Sequence, residues 1–248
     1  MTRTILITGA SRGIGAACAL LAAERGYRVC VNYRSDAAAA HGVVQAIEAA
    51  GGSAFALQAD VAVEAEVVRL FAQIDRRCGR LDALVNNAGI LERQMRVEQM
   101  DGARIGRIFA TNVTGSFLCA REAVRRLSTR HGGAGGAIVN VSSRAAVLGA
   151  AGEYVDYAAS KAALDALTIG LAKEVADEGI RVNGVRPGLI DTAMHASGGE
   201  PGRIARLQSS VPMARGGAAA EVARAVLWLV SDEASYTTGS FIDVSGGR

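Results

Sequence analysis

The chain has 248 residues, half of them hydrophobic, and its 27 basic and 24 acidic side chains give a net charge of +3. This length suffices for one large α/β domain or two small ones, with a substantial core. Charged residues interrupt every apolar run well before the roughly 18 residues of a membrane span, so neither a membrane segment nor a signal peptide is expected. The small, dispersed charge gives no indication of nucleic-acid binding.

The cysteines and histidines are scattered along the chain. The four cysteines are Cys18, Cys30, Cys78 and Cys119, and the three histidines are His41, His131 and His195. No cysteine pair has C-x-x-C spacing and all four lie in apolar segments, which predicts small buried side chains in a reducing cytoplasm. The histidines lack metal-ligand spacing, so we expect no metal site.

Apolar runs of β type alternate with longer segments of helical periodicity. The predicted strands are Thr4–Thr8, Arg28–Asn32, Ser53–Gln58, Ala83–Asn86, Ala137–Ser142, Arg181–Val185 and Phe241–Val244. The predicted helices cover residues 13–26, 36–50, 62–79, 97–130 with an interruption near Asn112, 153–178 and 218–231. This βαβ repetition predicts one α/β domain over residues 1–248, a Rossmann fold with a doubly wound, parallel, seven-stranded sheet. Residues 191–215 break the rhythm and predict a substrate loop.

A glycine-rich segment follows the first predicted strand and leads into a helix. It reads Thr8-Gly9-Ala10-Ser11-Arg12-Gly13-Ile14-Gly15. The three glycines permit a tight turn and close approach to a pyrophosphate, and the helix N-terminus supplies N–H donors. A plain turn also needs glycines, but the strand-to-helix position favours phosphate binding. The expected contacts are Gly9, Ser11, Arg12, Gly13, Ile14 and Gly15.

The end of the second strand indicates which dinucleotide binds. Asn32-Tyr33-Arg34-Ser35 has no acidic residue where Asp or Glu would hold an unphosphorylated ribose. Arg34, with Arg12 on the other side, can pair with a 2′-phosphate, although each arginine could instead be a solvated surface side chain. We therefore expect Tyr33, Arg34 and Ser35 to contact NADP(H), with NAD(H) the less favoured cofactor.

Tyr157 and Lys161 lie four residues apart in a predicted helix and therefore share one face. A tyrosine hydroxyl has a pKa of about 10, and a neighbouring ammonium favours the phenolate, so the pair can move a proton. The spacing alone occurs by chance in many helices. Lysine is rare in this chain, however, because Lys161 and Lys173 are its only two lysines.

Several motifs in order resemble the short-chain dehydrogenase/reductase family, in its subgroup of about 250-residue subunits. They are the glycine loop, Asp60-Val61, Asn86–Gly89, Asn112, Ser142-Ser143, Tyr157 with Lys161, Pro187-Gly188, and Thr238-Gly239 followed by Asp243 and Gly246-Gly247. The resemblance covers essentially the whole chain. It is nearest to bacterial members labelled only as oxidoreductases or, loosely, as glucose dehydrogenases.

The resemblance implies a catalytic set of Asn112, Ser143, Tyr157 and Lys161. Tyr157 would exchange a proton with the substrate oxygen, which Ser143 would polarise. Lys161 would lower the tyrosine pKa and bind the nicotinamide ribose, and Asn112 would hold a water that resupplies the proton. Ser143 precedes Tyr157 by 14 positions, one more than is usual in the family, so an extra residue is expected within 152–156. Ser142 is expected to support the loop.

The resemblance also implies positions around the cofactor and the substrate. The cofactor would contact Asp60, Val61, Asn87, Ala88, Gly89, Pro187, Gly188, Ile190 and Thr192, besides Tyr157 and Lys161. A small polar carbonyl or hydroxyl compound would face Ser143, Arg93, Glu153, Tyr154, Met194 and His195. Asp60 could also cap the helix that follows it.

Several functions are compatible with this sequence, and an NADP(H)-dependent oxidoreductase acting on a small carbonyl or secondary alcohol is favoured. A 3-oxoacyl-acyl-carrier-protein reductase is disfavoured because Asp177-Glu178 precede Gly179, where carrier-binding relatives have a basic residue. A glucose 1-dehydrogenase and, in another class, a non-catalytic nucleotide sensor are further alternatives. The family's assembly implies a homotetramer or dimer, formed through the helix carrying Tyr157 and the apolar segments 219–230 and 241–244.

Overall fold

The computed structural model describes residues 2–248, and a seven-stranded parallel sheet lies at its centre. The strands are β1 (Thr4–Ile7), β2 (Arg28–Tyr33), β3 (Ser53–Gln58), β4 (Ala83–Asn86), β5 (Gly136–Val141), β6 (Ile180–Pro187), β7 (Ile190–Asp191), β8 (Gly217–Ala218) and β9 (Phe241–Val244). The main sheet has the order β3-β2-β1-β4-β5-β6-β9, and β7 and β8 form a separate two-stranded sheet. In the register of β1, Ile5 is paired with Val29 of β2 and with Ala83 of β4.

Helices cover both faces of the sheet. They are α1 (Gly13–Glu24), α2 (Ala37–Ala49), α3 (Glu64–Cys78), α4 (Gly102–Phe109), α5 (Gly115–Leu127), α6 (Ala145–Leu148), α7 (Val155–Glu174), α8 (Met194–Ser197), α9 (Arg203–Leu207) and α10 (Ala219–Val230). The predicted Rossmann-type fold, with a doubly wound parallel sheet, is therefore confirmed. Within residues 2–248, no helix is long and apolar enough to cross a membrane.

Two apolar clusters, one on each face of the sheet, explain why the strands are apolar almost throughout. Ile5 and Ile7 of β1 belong to the cluster beneath α1 and α10, whereas Leu6 belongs to the cluster beneath α3 and α5. Successive side chains of a strand point to opposite faces, so a strand covered on both sides needs apolar residues at every position. Cys18 lies in the first cluster and Cys30 in the second, both as buried free thiols.

The predicted strands agree with the structure to within two residues at each end, whereas the long helix predicted over 97–130 is divided. Only a short 3-10 turn covers Val97–Gln99, and α4 and α5 are joined by a π-helical turn at Ala110–Thr114. Asn112 lies in this turn. A π turn inserts one residue into the helical ladder, which reorients a side chain without ending the helix. The interruption predicted near Asn112 is therefore present as a change of helix type.

Residues 191–215 lie outside the main sheet. The segment begins in β7, contains α8, α9 and a 3-10 turn at Gln208–Ser210, and ends just before β8. The Ile190 and Asp191 backbones are paired with Gly217 and Ala218, so the two-stranded sheet holds both ends of the segment together. The segment can therefore cover the carboxyl ends of the strands while its base stays fixed.

Candidate active site

A cavity of about 160 Å³ lies at the carboxyl ends of the central strands. The strand order reverses between β1 and β4, so the loops after these strands diverge and leave a crevice, which is where open α/β sheets bind ligands. Its wall includes Ile14, Asn87, Ser143, Tyr157 and Lys161. A larger cavity of about 650 Å³ lies at the amino ends of the strands, and none of the predicted site residues lines it.

The glycine loop has the backbone that a pyrophosphate site requires. Gly9 and Gly13 have φ values of 61° and 58°, in the region that side chains disfavour. A Cβ at Gly15 would lie 2.5 Å from both the Asn87 Nδ2 and the Gly9 carbonyl oxygen. The Arg12 side chain makes no capping hydrogen bond to α1, which leaves first-turn N–H groups available to an anion. These residues fit a dinucleotide phosphate.

The segment after β4 fastens the glycine loop from one side. Asn87 Nδ2 donates to the carbonyl oxygens of Thr8 and Gly9, at 2.8 and 3.0 Å. The Thr8 hydroxyl oxygen accepts from the backbone N–H groups of Asn87 and Ala88, both at 3.0 Å. A Cβ at Gly9 would approach the Ala88 Cα to 3.0 Å. Asn87 and Ala88 therefore shape the loop, and Asn87 also lines the cavity.

The residues after β2 leave two arginines free of ion pairs. Tyr33 is half-buried, and Arg34 and Ser35 are exposed, as is Arg12 across the glycine loop. Among residues 2–248, neither Arg12 nor Arg34 has an acidic partner within salt-bridge distance. The nearest acid in sequence, Asp36, accepts a hydrogen bond of 3.0 Å from a backbone N–H of α2. The Asp36 carboxylate thus caps α2 and makes no ion pair with Arg34.

Asp60 and Val61 follow β3 and do not start the next helix. The Asp60 carboxylate accepts from the Ala62 N–H at 2.9 Å in a tight turn, and α3 begins only at Glu64. The alternative that Asp60 caps this helix is therefore wrong. Val61 is buried against α5, where a Cβ at Gly115 would lie 2.8 Å from its side chain. The turn presents Asp60 at the carboxyl edge of the sheet.

The structure brings Ser143, Tyr157 and Lys161 into one cavity wall. The Ser143 hydroxyl accepts from the Ala145 N–H at 3.1 Å and is near enough to Tyr157 to lower the pKa of its hydroxyl, whereas the Ser142 hydroxyl donates to the Lys161 carbonyl oxygen at 3.2 Å. Lys161 Nζ donates to the Val141 carbonyl oxygen at 2.8 Å and lies 5.7 Å from the centre of the Tyr157 ring. Ser143 is thus the serine beside the tyrosine, and Ser142 supports the helix behind it.

The expectation that Lys161 lowers the tyrosine pKa is not met in the protein alone. Burial raises the pKa of Tyr157 to about 12, and the neighbouring Ser143 hydroxyl opposes this only in part. Burial likewise lowers the pKa of Lys161 to about 8, against the opposing effect of the Asp165 carboxylate. Desolvation disfavours both charged forms, and neither group is among the causes that shift the pKa of the other. Tyr157 is therefore protonated at neutral pH.

The lowered pKa of Lys161 predicts a pH-dependent stability. The folded protein releases the lysine proton near pH 8 and the unfolded chain near its usual 10.5, so unfolding takes up a proton between these values. The free energy of unfolding should then rise with pH in that window, by roughly 1–3 kcal/mol. Lys161→Met removes the titration. Between pH 7 and 10, denaturant unfolding of the cofactor-free protein should show that the free energy of unfolding rises more in wild type than in this variant. An equal rise in both proteins would contradict the lowered pKa of Lys161.

Asn112 is fully buried in the π turn and its amide is held on three sides. It donates to the Ile90 carbonyl oxygen at 3.1 Å and to the Ser160 hydroxyl at 3.0 Å, and it accepts from the Ile90 N–H at 2.8 Å. A Cβ at Gly89 would lie 3.4 Å from both Asn112 Oδ1 and Lys161 Nζ. These two polar atoms therefore face one space. Ser160 belongs to no motif recognised in the sequence, although its spacing of three from Tyr157 places it on that side of the helix.

The link between Ser143 and Tyr157 consists of α6 and a left-handed turn. Gly149, Ala150 and Gly152 have φ values of 79°, 49° and 71°, and Ala150 has this strained conformation despite its side chain. α7 then runs without interruption from Val155. Additional length in this link is consequently absorbed by the turn before α7, and not by the helix that carries Tyr157.

A buried ion pair fixes the start of α7. Arg104 Nε of α4 donates to the Asp156 carboxylate at 2.6 Å, and both side chains are at least 95% buried. Asp156 also accepts from the Tyr157 N–H at 2.9 Å. Removing one partner of such a pair leaves an uncompensated charge, so the pair strongly restrains the two helices. Because Asp156 accepts from the Tyr157 backbone N–H, this ion pair also restrains the position of Tyr157.

Four of the residues predicted beside the substrate line the cavity together with Ser143: Glu153, Tyr154, Met194 and His195. The Tyr154 hydroxyl donates to the Gly198 carbonyl oxygen at 3.3 Å. The ring is therefore buried in the cavity wall and does not line an opening to solvent. The Glu153 carboxylate is paired with Arg203 at 2.5 Å and Arg206 at 3.0 Å. These contacts hold residues 191–215 against the segment before α7.

Arg93 is a misplaced prediction. It is exposed, it is absent from the cavity wall, and its side chain lies 3.3 Å from the position of a Cβ at Gly199. Its carbonyl oxygen accepts from Arg104, which turns this segment toward α4. The wall instead contains Arg144, Arg203 and Arg248. No motif marks these arginines, and only the adjacency of Arg144 to Ser143 could have indicated one of them.

The segment after β6 closes the cavity against the glycine loop. The wall includes Pro187, Gly188, Ile190 and Thr192, the residues of this segment that the resemblance places beside the cofactor. A Cβ at Gly188 would lie 2.8 Å from Ser245, and a Cβ at Gly13 would lie 3.5 Å from the Thr192 side chain. Sheet and cavity together define an α/β protein of Rossmann type, with a tyrosine, a lysine and a serine at its topological switch point.

Comparison with known proteins identifies the family within this class. The family model described as Enoyl-(Acyl carrier protein) reductase matches residues 9–248. The chain is similar to a protein named Uncharacterized oxidoreductase YgfF from Escherichia coli (strain K12), with 61% identity over 243 residues and 98% of each chain covered. It is also similar to the 3-oxoacyl-(acyl-carrier-protein) reductase FabG of Staphylococcus aureus (strain Mu50), with 39% identity over 251 residues, covering 100% of this chain and 98% of that one.

A solved structure agrees with these relatives. The crystal structure of a short-chain type dehydrogenase/reductase from Mycobacterium marinum superposes with a TM-score of 0.93 and 35% identity, covering 99% of this chain and 94% of that chain. The chain belongs to the short-chain dehydrogenase/reductase family. The resemblance found in the sequence motifs is thereby confirmed, and the chain is assigned to a family of oxidoreductases.

Proposed function

We propose that the protein is an NADP(H)-dependent oxidoreductase that interconverts a small carbonyl compound and its secondary alcohol, with Asn112, Ser143, Tyr157 and Lys161 as the catalytic set. The observation that carries this proposal is the shared cavity wall of Ser143, Tyr157 and Lys161 beside the glycine loop. A nucleotide sensor would need the loop alone. A half-buried tyrosine beside a serine, both in the wall of a small cavity, favours chemistry on an oxygen atom.

The cofactor would extend from the arginines at β2 to the tyrosine. Arg12 and Arg34 would pair with the 2′-phosphate, the N-terminus of α1 would bind the pyrophosphate, and Lys161 would hold the nicotinamide ribose. Asp60, Val61 and Gly89 would border the adenosine half. When bound, the reduced nicotinamide supplies a hydride, and the oxidised form accepts one. A Cβ is excluded at Gly188 by Ser245, and at Gly13 it is disfavoured by the positive φ, so at both positions the cofactor could approach the backbone.

The residues of the chain would supply the proton. In reduction, the Tyr157 hydroxyl donates its proton to the carbonyl oxygen while Ser143 donates a hydrogen bond to that oxygen. The pKa of Tyr157 is raised to about 12 by burial, so the acid form is available at neutral pH. A water in the space beside Gly89 would have Lys161 Nζ and Asn112 Oδ1 as partners and would return the proton from solvent.

A panel of carbonyl and alcohol compounds, followed through the absorbance of the reduced nicotinamide, tests this proposal. We expect NADPH-dependent reduction of at least one small ketone or aldehyde. The panel should include sugars, which test the glucose dehydrogenase alternative, and neutral and anionic ketones of equal length. Binding of NADPH without turnover of any compound in either direction would favour the nucleotide sensor.

A carrier-linked 3-oxoacyl reductase is a second candidate, supported by the similarity to FabG. Asp177 and Glu178, which precede Gly179, argue against this candidate less strongly than the sequence suggests. Arg130 pairs with Asp177 at 2.6 Å and with Glu178 at 3.1 Å. The local charge is therefore partly neutralised, and a carrier protein would not meet two free carboxylates. Reduction of acetoacetyl carrier protein much faster than of acetoacetyl-CoA would favour this candidate.

We also propose a homo-oligomer, a tetramer or a dimer, in the cytoplasm. The apolar segment 219–230 supports it less than the sequence suggests, because α10 buries Val222 and Val226 within its own subunit. Exposed large apolar side chains on α5 and α7 support it more, since Phe117 and Ile169 are 48% and 41% exposed. Apolar side chains exposed on neighbouring helices are typical of surfaces that pair.

A further inference from the structure

Among residues 2–248, Arg104 and Lys161 are the only basic residues that are buried. Lys161 lies one helical turn from Tyr157, and Arg104 is paired with Asp156, the residue before Tyr157. The Arg104 guanidinium donates from Nε to one Asp156 carboxylate oxygen at 2.6 Å and from Nη2 to the other at 3.4 Å. Burying charged side chains is costly, so apolar residues would serve as well if α4 and α7 only had to pack together.

The Arg104–Asp156 pair joins the elements that carry two of the proposed catalytic groups. On the α4 side, the Asp101 carboxylate caps the helix by accepting from the Arg104 N–H at 2.7 Å, and α4 leads directly into the π turn that holds Asn112. On the α7 side, the Asp156 carboxylate accepts from the Tyr157 N–H at 2.9 Å. The pair therefore links the helix before Asn112 to the first turn of the helix that carries Tyr157.

We propose that Arg104 and Asp156 are positioning residues, which hold the Tyr157 hydroxyl in the geometry that proton transfer requires. This proposal rests on the proposed function. Neither residue lines the cavity wall, so both act through Tyr157. Apolar contacts are non-directional, whereas a guanidinium and a carboxylate fix distances and angles through their hydrogen bonds. A displacement of about 1 Å at a reacting group can lower a rate about 10²-fold.

Replacing both charges at once separates positioning from stability. The double variant Arg104→Met/Asp156→Leu has an apolar pair in place of the ion pair, a change that often leaves stability unchanged or raises it. We expect this variant to unfold with a free energy near that of wild type and to lose about 10–100-fold in kcat, while its cofactor affinity changes less than about twofold. A folded double variant with the wild-type kcat would refute the proposal. Arg104→Lys keeps the charge but not the fork of donors, so its kcat should fall less, and it decides the question if the double variant does not fold.

A double-mutant cycle with Tyr157→Phe tests whether the effect passes through the tyrosine. In the Tyr157→Phe background there is no hydroxyl left to position, so removing the ion pair should change the residual rate by less than about twofold. In the wild-type background the same change should give the full loss. An equal loss in both backgrounds would show that the pair acts on the fold in general and not on Tyr157.

Asp82→Asn is the matched control for Asp156→Asn. Asp82 is also buried, accepts from a backbone N–H, that of Thr4 at 2.7 Å, and pairs with an arginine, Arg80 at 2.5 Å. It lies, however, in the cavity at the amino ends of the strands, away from Tyr157. Both variants lose an ion pair and should be less stable than wild type, but only Asp156→Asn should lower kcat. A comparable loss of kcat in Asp82→Asn would assign the effect to stability and overturn the proposal.

Fluorine NMR observes Tyr157 without a substrate and so separates this proposal from the proposed function. In protein labelled with 3-fluorotyrosine, the Tyr157 resonance is the one that is absent from Tyr157→Phe. It should shift or broaden in Asp156→Asn and stay unchanged in Asp82→Asn. If it responds in this way but no compound is reduced or oxidised, the proposed function fails and the positioning of Tyr157 by the pair stands. If ketones are reduced but neither this resonance nor kcat responds, the pair has no positioning role and the proposed function stands.

Discussion

Tyr157→Phe is expected to lower kcat by about 10²–10⁴-fold on any substrate that the panel identifies, since positioned proton transfer contributes that much to a rate. The substitution removes one hydroxyl from the cavity wall and keeps the ring that packs there. The affinity for NADPH should change little, because the groups proposed to bind its phosphates lie on the glycine loop and at β2. Steady-state rates and calorimetric titration with NADPH measure the two effects separately.

Tyr154→Phe is the matched control for this experiment. Tyr154 also lines the cavity, but its hydroxyl donates to the Gly198 carbonyl oxygen, and Ala158 stands where a partner lysine would be needed. Its loss should alter KM more than kcat, because the contact holds the substrate loop. A Tyr157→Phe variant that keeps the wild-type rate would show that Tyr157 is not the acid, and an equal loss in both variants would indicate a general disturbance of the cavity.

Wild type is expected to bind NADPH at least about tenfold more tightly than NADH, and Arg34→Gln should remove most of that difference. A hydrogen-bonded ion pair with a phosphate contributes enough for about 10–100-fold in affinity. Arg34 is exposed and has no acidic partner within residues 2–248, so it need not break an internal ion pair to bind an anion. Asp36 does not compete, since its carboxylate caps α2.

Arg12→Gln should reduce the preference for NADPH to a smaller degree, because Arg12 approaches the phosphate from the other side of the loop. Arg76→Gln serves as the control, because Arg76 is an exposed arginine of α3 outside the cavity wall, and it should leave both affinities unchanged. NADH affinity should change less than about twofold in Arg34→Gln, as that cofactor lacks the phosphate. Equal affinities in wild type, or tighter binding of NADH, would overturn the cofactor assignment.

The hydrophobic periodicity of the sequence and the residues at its turns made most of the fold predictable. Three strands, Ser53–Gln58, Ala83–Asn86 and Phe241–Val244, have the bounds expected from their apolar runs. The helix carrying Tyr157 begins two residues later than expected and ends four residues earlier, since its last turn is a 3-10 turn at Ala176–Glu178. Helix ends depend on capping groups brought from elsewhere, which local periodicity does not contain.

The site could be predicted where one element contributes neighbouring residues. Tyr157 and Lys161 are placed together by helix geometry alone, and Gly9, Gly13 and Gly15 by one turn. Arg93 was misplaced because its expected position depended on how a long loop packs. The arginines of the wall come from three separate segments, so only their contacts with Glu153 and Asp243 show which of them is neutralised.

The pKa of Tyr157 also differs between what the local sequence predicts and what the tertiary structure gives. A lysine one turn away predicts a lowered value, but the surrounding protein removes water from both groups and burial raises it to about 12. Local sequence patterns were enough to predict the sheet, the glycine loop, the spacing of Tyr157 and Lys161, and the family. The shift in the pKa of Tyr157, the presence of Ser143 in the same cavity wall and the pairing of Arg144 and Arg203 with acids required the tertiary structure, because desolvation and ion pairing depend on groups that are distant along the chain.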